Sequence, residues 1–387
     1  MGALLRVDAR IKIDLHVSQQ GLAASRENKK LTRCQRAVVS SSRSDQRPVA
    51  ELVYRDAQAA FYRLPLPTPY PVGDVNCYLI MGPEVGLIDA GCLTSESQAA
   101  LHGHLAELGL TPEAVRTIAI THHHPDHIGG AGALCQSGAA LVLPRRTVDQ
   151  RQIDPEASQV MLQFLLSLGA PATRVEAWRR FEEATLDRVT DHPRQPAPGA
   201  GRKPGPASCT IEDGATIAVG GVELHALATP GHALDHFCYI DSSRSIAFTG
   251  DHLLPTITPN PVLAFDVEQG YQRRHSLVEY MASLDRLARL APRLALGGHG
   301  GPVADPAALI VKNLEFIAER GRRYLAMIAT GECVPVFELG RRIFGDRDDA
   351  NMFLATSETV GYLDLLQDQG KIEVVERAGI LCVTASR

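Results

Sequence analysis

Val115-Arg116-Thr117-Ile118-Ala119-Ile120-Thr121-His122-His123-His124-Pro125-Asp126-His127 is the stretch on which the reading of this chain turns. Its first half is a short apolar run rich in β-branched residues, the pattern of a buried strand. Where the run ends, His122, His124, Asp126 and His127 offer four potential metal ligands within six residues. Imidazoles joined by a carboxylate suit a borderline divalent cation such as Zn²⁺. Alternation along an extended chain turns His122 and His124 to one side and His123 to the other, so His123 is not expected to be a ligand. Pro125 stiffens the turn that must bring Asp126 and His127 round to join them.

Outward from this stretch the chain alternates strands and helices. Residues 75–81 and 85–89 read as two strands joined at Gly82-Pro83-Glu84, and residues 95–108 as a helix with Leu101, Leu105 and Leu108 on one face. A helix starts near residues 129–134, a strand follows at 139–143, and residues 153–188 are mostly helical in pattern. The Pro/Gly-rich residues 192–206 read as a surface loop. Residues 216–219 and 222–227 flank Gly220-Gly221 as a hairpin, and residues 245–249 form a strand ending at Gly250-Asp251. A helix at about 270–290 and a strand at 294–296 lead into Gly297-Gly298-His299-Gly300. The layout is α/β, with the imidazole and acidic side chains at strand ends, where sites are built.

Two flanking parts differ from this middle. Residues 1–48 are rich in Arg, Lys and Ser with little periodicity, and read as a disordered extension or a misplaced start. Asp8, Asp14 and Glu27 count against a transit peptide there. After the catalytic part at 49–302, residues 303–387 suggest a small winged-helix-like module. Its helices fall at about 305–329, 336–344 and 356–369, and its terminal hairpin turns at Ala378-Gly379.

Three further candidates stand beside glycine or at strand ends: His232 in Thr229-Pro230-Gly231-His232, Asp251 in Thr249-Gly250-Asp251, and His299 in Gly298-His299-Gly300. In this order, with the early Asn76 and the strand end Leu87-Ile88-Asp89-Ala90-Gly91, the set resembles the metallo-β-lactamase superfamily over about residues 60–302. The resemblance implies an αββα sandwich with a metal site at one edge of the paired sheets. It implies that His122, His124 and His232 hold a first ion, and Asp126, His127 and His299 a second, with Asp251 bridging. Two divalent ions, Zn²⁺ first and Fe or Mn as alternatives, would share a hydroxide as the nucleophile. Asp126 and Asp251 are then the carboxylates on which catalysis depends. His236 reads as an outer partner or substrate-side residue, or else as a structural hydrogen bonder. Asp89 reads as an outer or loop-fixing carboxylate. Tyr271, placed at the start of a helix, would line the cleft or pack in the core.

Composition narrows the class of function. The chain has 387 residues, 45% of them hydrophobic and 21% charged, with a net charge of −5, which does not mark a nucleic-acid binder. Eight scattered cysteines include no Cys-x-x-Cys pair and suit a reducing cytoplasm. No run approaches the roughly 20 apolar residues that span a bilayer, and charges interrupt the N-terminus, so neither membrane insertion nor export is expected.

Asp251 stands where common zinc β-lactamases have Cys, and His124 where flavin-linked di-iron relatives have Glu. The resemblance is closer to bacterial hydrolases and lactamase-beta-like or glyoxalase II-like proteins with a winged-helix tail. These are associated with acyl or thioester hydrolysis and, in one branch, RNA cleavage. The expected reaction is hydrolysis of an acyl thioester on CoA, acyl carrier protein or glutathione. Alternatives are cleavage of single-stranded RNA or another phosphodiester, a lactonase, and, remotely, a non-catalytic metal-binding protein. The helix at 356–369 carries Glu358, Asp364 and Asp368 and no Lys or Arg, so DNA is not an expected partner. The sequence leaves the oligomeric state open.

Overall fold

The computed structural model describes residues 49–150, 155–189, 208–328 and 332–386. The expectations for residues 1–48 and for the loop at 192–206 lie outside them. Seven strands pair in chain order in the first sheet. They are β1 (Glu51–Arg55), β2 (Ala60–Leu66), β3 (Val75–Met81), β4 (Val85–Ile88), β5 (Val115–Ala119), β6 (Ala140–Pro144) and β7 (Ser208–Ile211). The first four are antiparallel and the last four parallel. The second sheet takes β8 (Thr216–Val219), β9 (Val222–Ala228), β10 (Phe237–Asp241) and β11 (Ile246–Gly250). The two-residue strands β12 (Phe265–Asp266) and β13 (Gln272–Arg273) pair only with each other. Then β14 (Leu294–Gly297) joins the second sheet parallel to β11.

Period-two alternation sorts the side chains of each strand between two faces. On β3, Tyr78 and Ile80 meet Phe61, Leu224, Tyr239 and Phe248 in the core between the sheets. Cys77 and Leu79 face the other way, into a core with Leu101, Leu105 and Leu134. These come from helices α1 (Ser95–Glu107) and, beyond the short α2 (Pro125–Ile128), α3 (Ala131–Gln136). On the far side of the second sheet, Cys238, Ile240, Ala247 and Ala295 pack against helices. Three apolar cores therefore alternate with the layers of an αββα sandwich.

The helices on that far side are drawn from much of the chain. After α4 (Arg145–Gln150) come α5 (Pro155–Ser167), α6 (Ala172–Val189), α7 (Ser276–Arg289), α8 (Pro306–Ile328), α9 (Val336–Phe344) and α10 (Asp349–Asp368). Leu165, Trp178, Leu284, Ile317, Leu339 and Leu363, from six of them, lie in one core. Trp178 stacks on Phe353 at 4.5 Å, and Arg273 grips Asp364 through Nη1 and Nη2 of its guanidinium. The hairpin of β16 (Ile372–Arg377) and β17 (Ile380–Ala385) gains a third strand in β15 (Val334–Pro335).

Two local expectations differ from the structure. Helix α10 begins seven residues before 356, because the Asp348 carboxylate caps it by accepting from the Asn351 N–H at 3.0 Å. Tyr271 does not begin a helix. It has φ +60° after Gly270 at φ +66°, a left-handed pair that turns the chain into β13, and α7 starts only at Ser276. No helix among the described residues is long and apolar enough to cross a membrane.

Candidate metal centre

The seven candidate ligands lie on loops and on α2 at one end of both sheets. His122 and His124 follow β5, His232 follows β9, Asp251 follows β11, and His299 follows β14. Asp126 and His127 ride on α2, whose first residue is Pro125, a position where its missing N–H costs nothing. The Phe237 N–H donates to the Thr121 carbonyl at 2.8 Å and joins the two sheets at this end.

The protons of the imidazoles can be placed from their partners. Thr121 Oγ1 lies 2.9 Å from the Asp89 carboxylate, which can only accept, so the threonine proton is committed there. Thr121 Oγ1 must then accept from His122 Nδ1, at 3.0 Å, and His122 Nε2 is a bare lone pair. His232 Nδ1 donates to the Asn260 carbonyl at 3.0 Å, and His299 Nδ1 to the Asp74 carbonyl at 2.8 Å. His127 Nδ1 donates to Asp89 Oδ2 at 2.8 Å. In the neutral rings, Nε2 of all four is thereby left as an inward lone pair.

These lone pairs converge on one another and on carboxylates. His124 Nδ1 lies 2.9 Å from His122 Nε2 and 3.0 Å from His232 Nε2. A tetrahedral Zn²⁺ with Zn–N of roughly 2.0–2.1 Å spaces its ligands by about 3.3 Å, a few tenths of an ångström wider than these contacts. Asp251 sits 3.4 Å from His127 Nε2, 3.6 Å from His232 Nε2 and 3.5 Å from His299 Nε2, while His299 Nε2 is also 3.5 Å from Asp126. His127 Nε2 and Asp251 Oδ1 are buried without a hydrogen-bond partner. Three overlapping triads could each hold an ion: His122, His124, His232; His122, His127, Asp251; and Asp126, His127, His299. Two buried atoms without a hydrogen-bond partner, set among imidazoles and carboxylates, are what a cation would satisfy.

Residues 70–299 match the model of the metallo-beta-lactamase superfamily. The chain belongs to the metallo-β-lactamase superfamily. Probable metallo-hydrolase YqjP of Bacillus subtilis is 29% identical over 311 residues, covering 79% of this chain and 92% of the relative. The crystal structure of metallo-beta-lactamase family protein TTHA1429 from Thermus thermophilus superposes with a TM-score of 0.67 at 31% identity, covering 84% of this chain and 98% of that one. Atrochrysone carboxyl ACP thioesterase of Aspergillus fumigatus is 29% identical over 122 residues, 32% of this chain and 35% of the relative. This superfamily member is a metal-dependent hydrolase.

Electrostatics reflect the same crowding. Burial and neighbouring imidazoles hold His122 and His124 well below the usual histidine range. Burial would also lower His127 and His299, yet Asp251, Asp89 and Asp126 around the first, and Asp126 and Asp251 beside the second, push both up, His299 to about 9. Burial opposes the ionisation of Asp251, but the His127 ring holds its carboxyl well below the carboxylate range.

The remaining candidates surround the superfamily's metal site at different removes. His236 Nε2 accepts from the Asp251 N–H at 3.1 Å, and its Nδ1 contacts Thr229 Oγ1 at 2.8 Å, so it holds the backbone of Asp251 in place. His123 turns away, and its Nδ1 contacts buried Asp235 at 2.8 Å. Tyr271 has its hydroxyl 3.3 Å from Glu156. Asp235, held by His123 and Thr147, and Asn260, which bonds His232 and Leu354, carried no sequence signal, because their partners lie 28 to 112 positions away. Asn76, part of the resemblance, donates its amide to the carbonyls of Gly297 at 2.9 Å and Gly300 at 2.8 Å, clamping the turn that carries His299.

That turn needs glycine at 298, where a Cβ would lie 2.3 Å from Asp251 Oδ1 and 2.6 Å from His127 Cε1. Gly298→Ala is expected to weaken metal binding about tenfold or more, read by chelator competition. Unchanged affinity would show that the turn can shift without moving the cluster.

Proposed function

We propose that the chain hydrolyses acyl thioesters with two divalent ions, Zn²⁺ first, held by His122, His124, His232, Asp126, His127, His299 and Asp251. The observation that carries this reading is the convergence of inward Nε2 lone pairs and two carboxylates in overlapping triads. Ions there would supply an activated water and a Lewis acid for the scissile carbonyl. The chain's own residues hold that arrangement. Asp89 fixes the proton of His127 on Nδ1, His236 fixes the Asp251 backbone, and Asn76 fixes the turn of His299. A thiolate leaves without protonation, which suits a site whose reactive groups are metal ligands.

The relative named an ACP thioesterase supports a carrier-bound acyl substrate. The C-terminal helix supports nucleic acid poorly. Its acids are taken up within the fold, Glu358 by Arg320 at 3.0 Å and Asp364 by Arg273 at 2.7 Å, while Arg322 pairs with Glu319. Arg320 and Arg322 are thereby taken up by carboxylates and not left free for phosphates. Free thiols at the seven described cysteines support a reducing, cytoplasmic setting.

Zinc-loaded protein is expected to release thiol from an acyl-CoA, an acylglutathione or an acyl carrier protein, and to leave labelled single-stranded RNA intact. Lactones and β-lactams complete the panel. RNA cleavage that Asp126→Ala abolishes, without thiol release from any thioester, would overturn the proposal.

A further inference from the structure

His232 is held from behind by a part of the chain that is itself held by the C-terminal helices. The carbonyl that accepts its Nδ1–H, at 3.0 Å, belongs to Asn260 in Thr258-Pro259-Asn260-Pro261. The proline after Asn260 restricts it to extended backbone, and the two prolines stiffen the segment. The Asn260 side chain reaches the other way and donates from Nδ2 to the carbonyl of Leu354 on α10, at 2.9 Å. Its Oδ1 is buried and has no partner. An unsatisfied buried acceptor is costly, so the Nδ2 contact is what an amide supplies at this position.

The packing around the segment points the same way. Helix α10 can come this close because residue 361 is glycine. A Cβ there would lie 3.1 Å from Leu277 Cβ and 3.2 Å from Pro261 Cγ. The other end of the same loop is tied to α8, where Asn313 donates to the Tyr280 hydroxyl at 3.3 Å and Tyr280 donates to the His252 carbonyl at 3.1 Å. The loop from Asp251 to Asn260 is thus held by α10 directly at one end and by α8 through Tyr280 of α7 at the other.

We propose that Asn260 is a positioning residue that joins His232 to helix α10, so that the C-terminal segment sets the geometry of the metal position His232 serves. The proposal rests on His232 being a ligand. It is tested on the full chain by competing zinc against a chromogenic chelator and by the visible absorption of the cobalt-substituted protein, with thermal midpoints measured alongside. Asn260→Ala is expected to weaken zinc binding about tenfold and to shift the cobalt bands, whereas Leu354→Ala, which keeps the accepting carbonyl, stays within about twofold of the parent. Should Asn260→Ala fail to fold, Asn260→Asp keeps the shape, removes the donor and is expected to show the same loss.

Affinity and cobalt spectrum unchanged in the Asn260 variant, with His232→Ala weakened, would overturn the proposal alone. An equal loss in Leu354→Ala would reduce it to general packing of α10 and overturn it too. Parent-like binding in His232→Ala would remove the ligand reading and the proposal with it.

Discussion

Asp251→Ala is expected to lower kcat/KM about a thousandfold, roughly 4 kcal/mol of transition-state stabilisation, in protein that retains its fold. Asp251 is the only cluster residue within 3.4 to 3.6 Å of His127, His232 and His299 together among the described contacts. In the proposed two-ion centre it would serve both positions, and its removal would withdraw a negative charge that balances the cations. His123→Ala is the matched contrast. His123 faces Asp235, so its loss is expected to cost stability by leaving a buried carboxylate with one partner fewer, while kcat/KM stays within about fivefold. Steady-state kinetics with metal analysis decide between these outcomes. An Asp251→Ala enzyme of near-parental activity, or a dead His123→Ala enzyme with intact fold and metal, would show that the cluster is wrongly assigned.

The second large effect is expected at Asp89, which touches no candidate metal position yet controls one. Its carboxylate accepts from the Thr121 N–H at 2.8 Å, the Thr121 hydroxyl at 2.9 Å and His127 Nδ1 at 2.8 Å, and its backbone is held at φ +62°. Asp89→Ala leaves those buried donors without an acceptor and puts alanine in the left-handed region. The expected cost is about 3–5 kcal/mol, visible as a lowered thermal midpoint. Asp89→Asn separates stability from chemistry. With its amide nitrogen against His127 Nδ1, the imidazole proton moves to Nε2 and blocks the inward lone pair. That variant is expected to keep most of the stability while binding metal about 10- to 100-fold more weakly, measured by chelator competition. Metal affinity equal to the parent would refute the tautomer assignment of His127.

Much of this centre was legible as spacing. Alternation past β5 separates His122 and His124 from His123, and Pro125 marks the turn into α2, because strand and helix periods act over a few residues. Glycine beside His232, Asp251 and His299 marks the close approaches that loops at a crowded site need. Helix α9 and the terminal hairpin were equally readable from local pattern. The start of α10 and the turn at Tyr271 were not, since a single capping carboxylate decides the one and a left-handed backbone pair the other.

By itself, the sequence determined which side chains could bind metal, their order along the chain and the α/β alternation that puts them at strand ends. These follow from covalent geometry and local periodicity. Only the tertiary structure decided which imidazole nitrogen faces inward. That choice depends on Asp89, Asp74 and Asn260, residues as far as 225 positions from the histidines whose protons they hold. A hydrogen bond across such a separation leaves no period in the chain, and it is what aims the ring nitrogens of these histidines at one another and at the carboxylates.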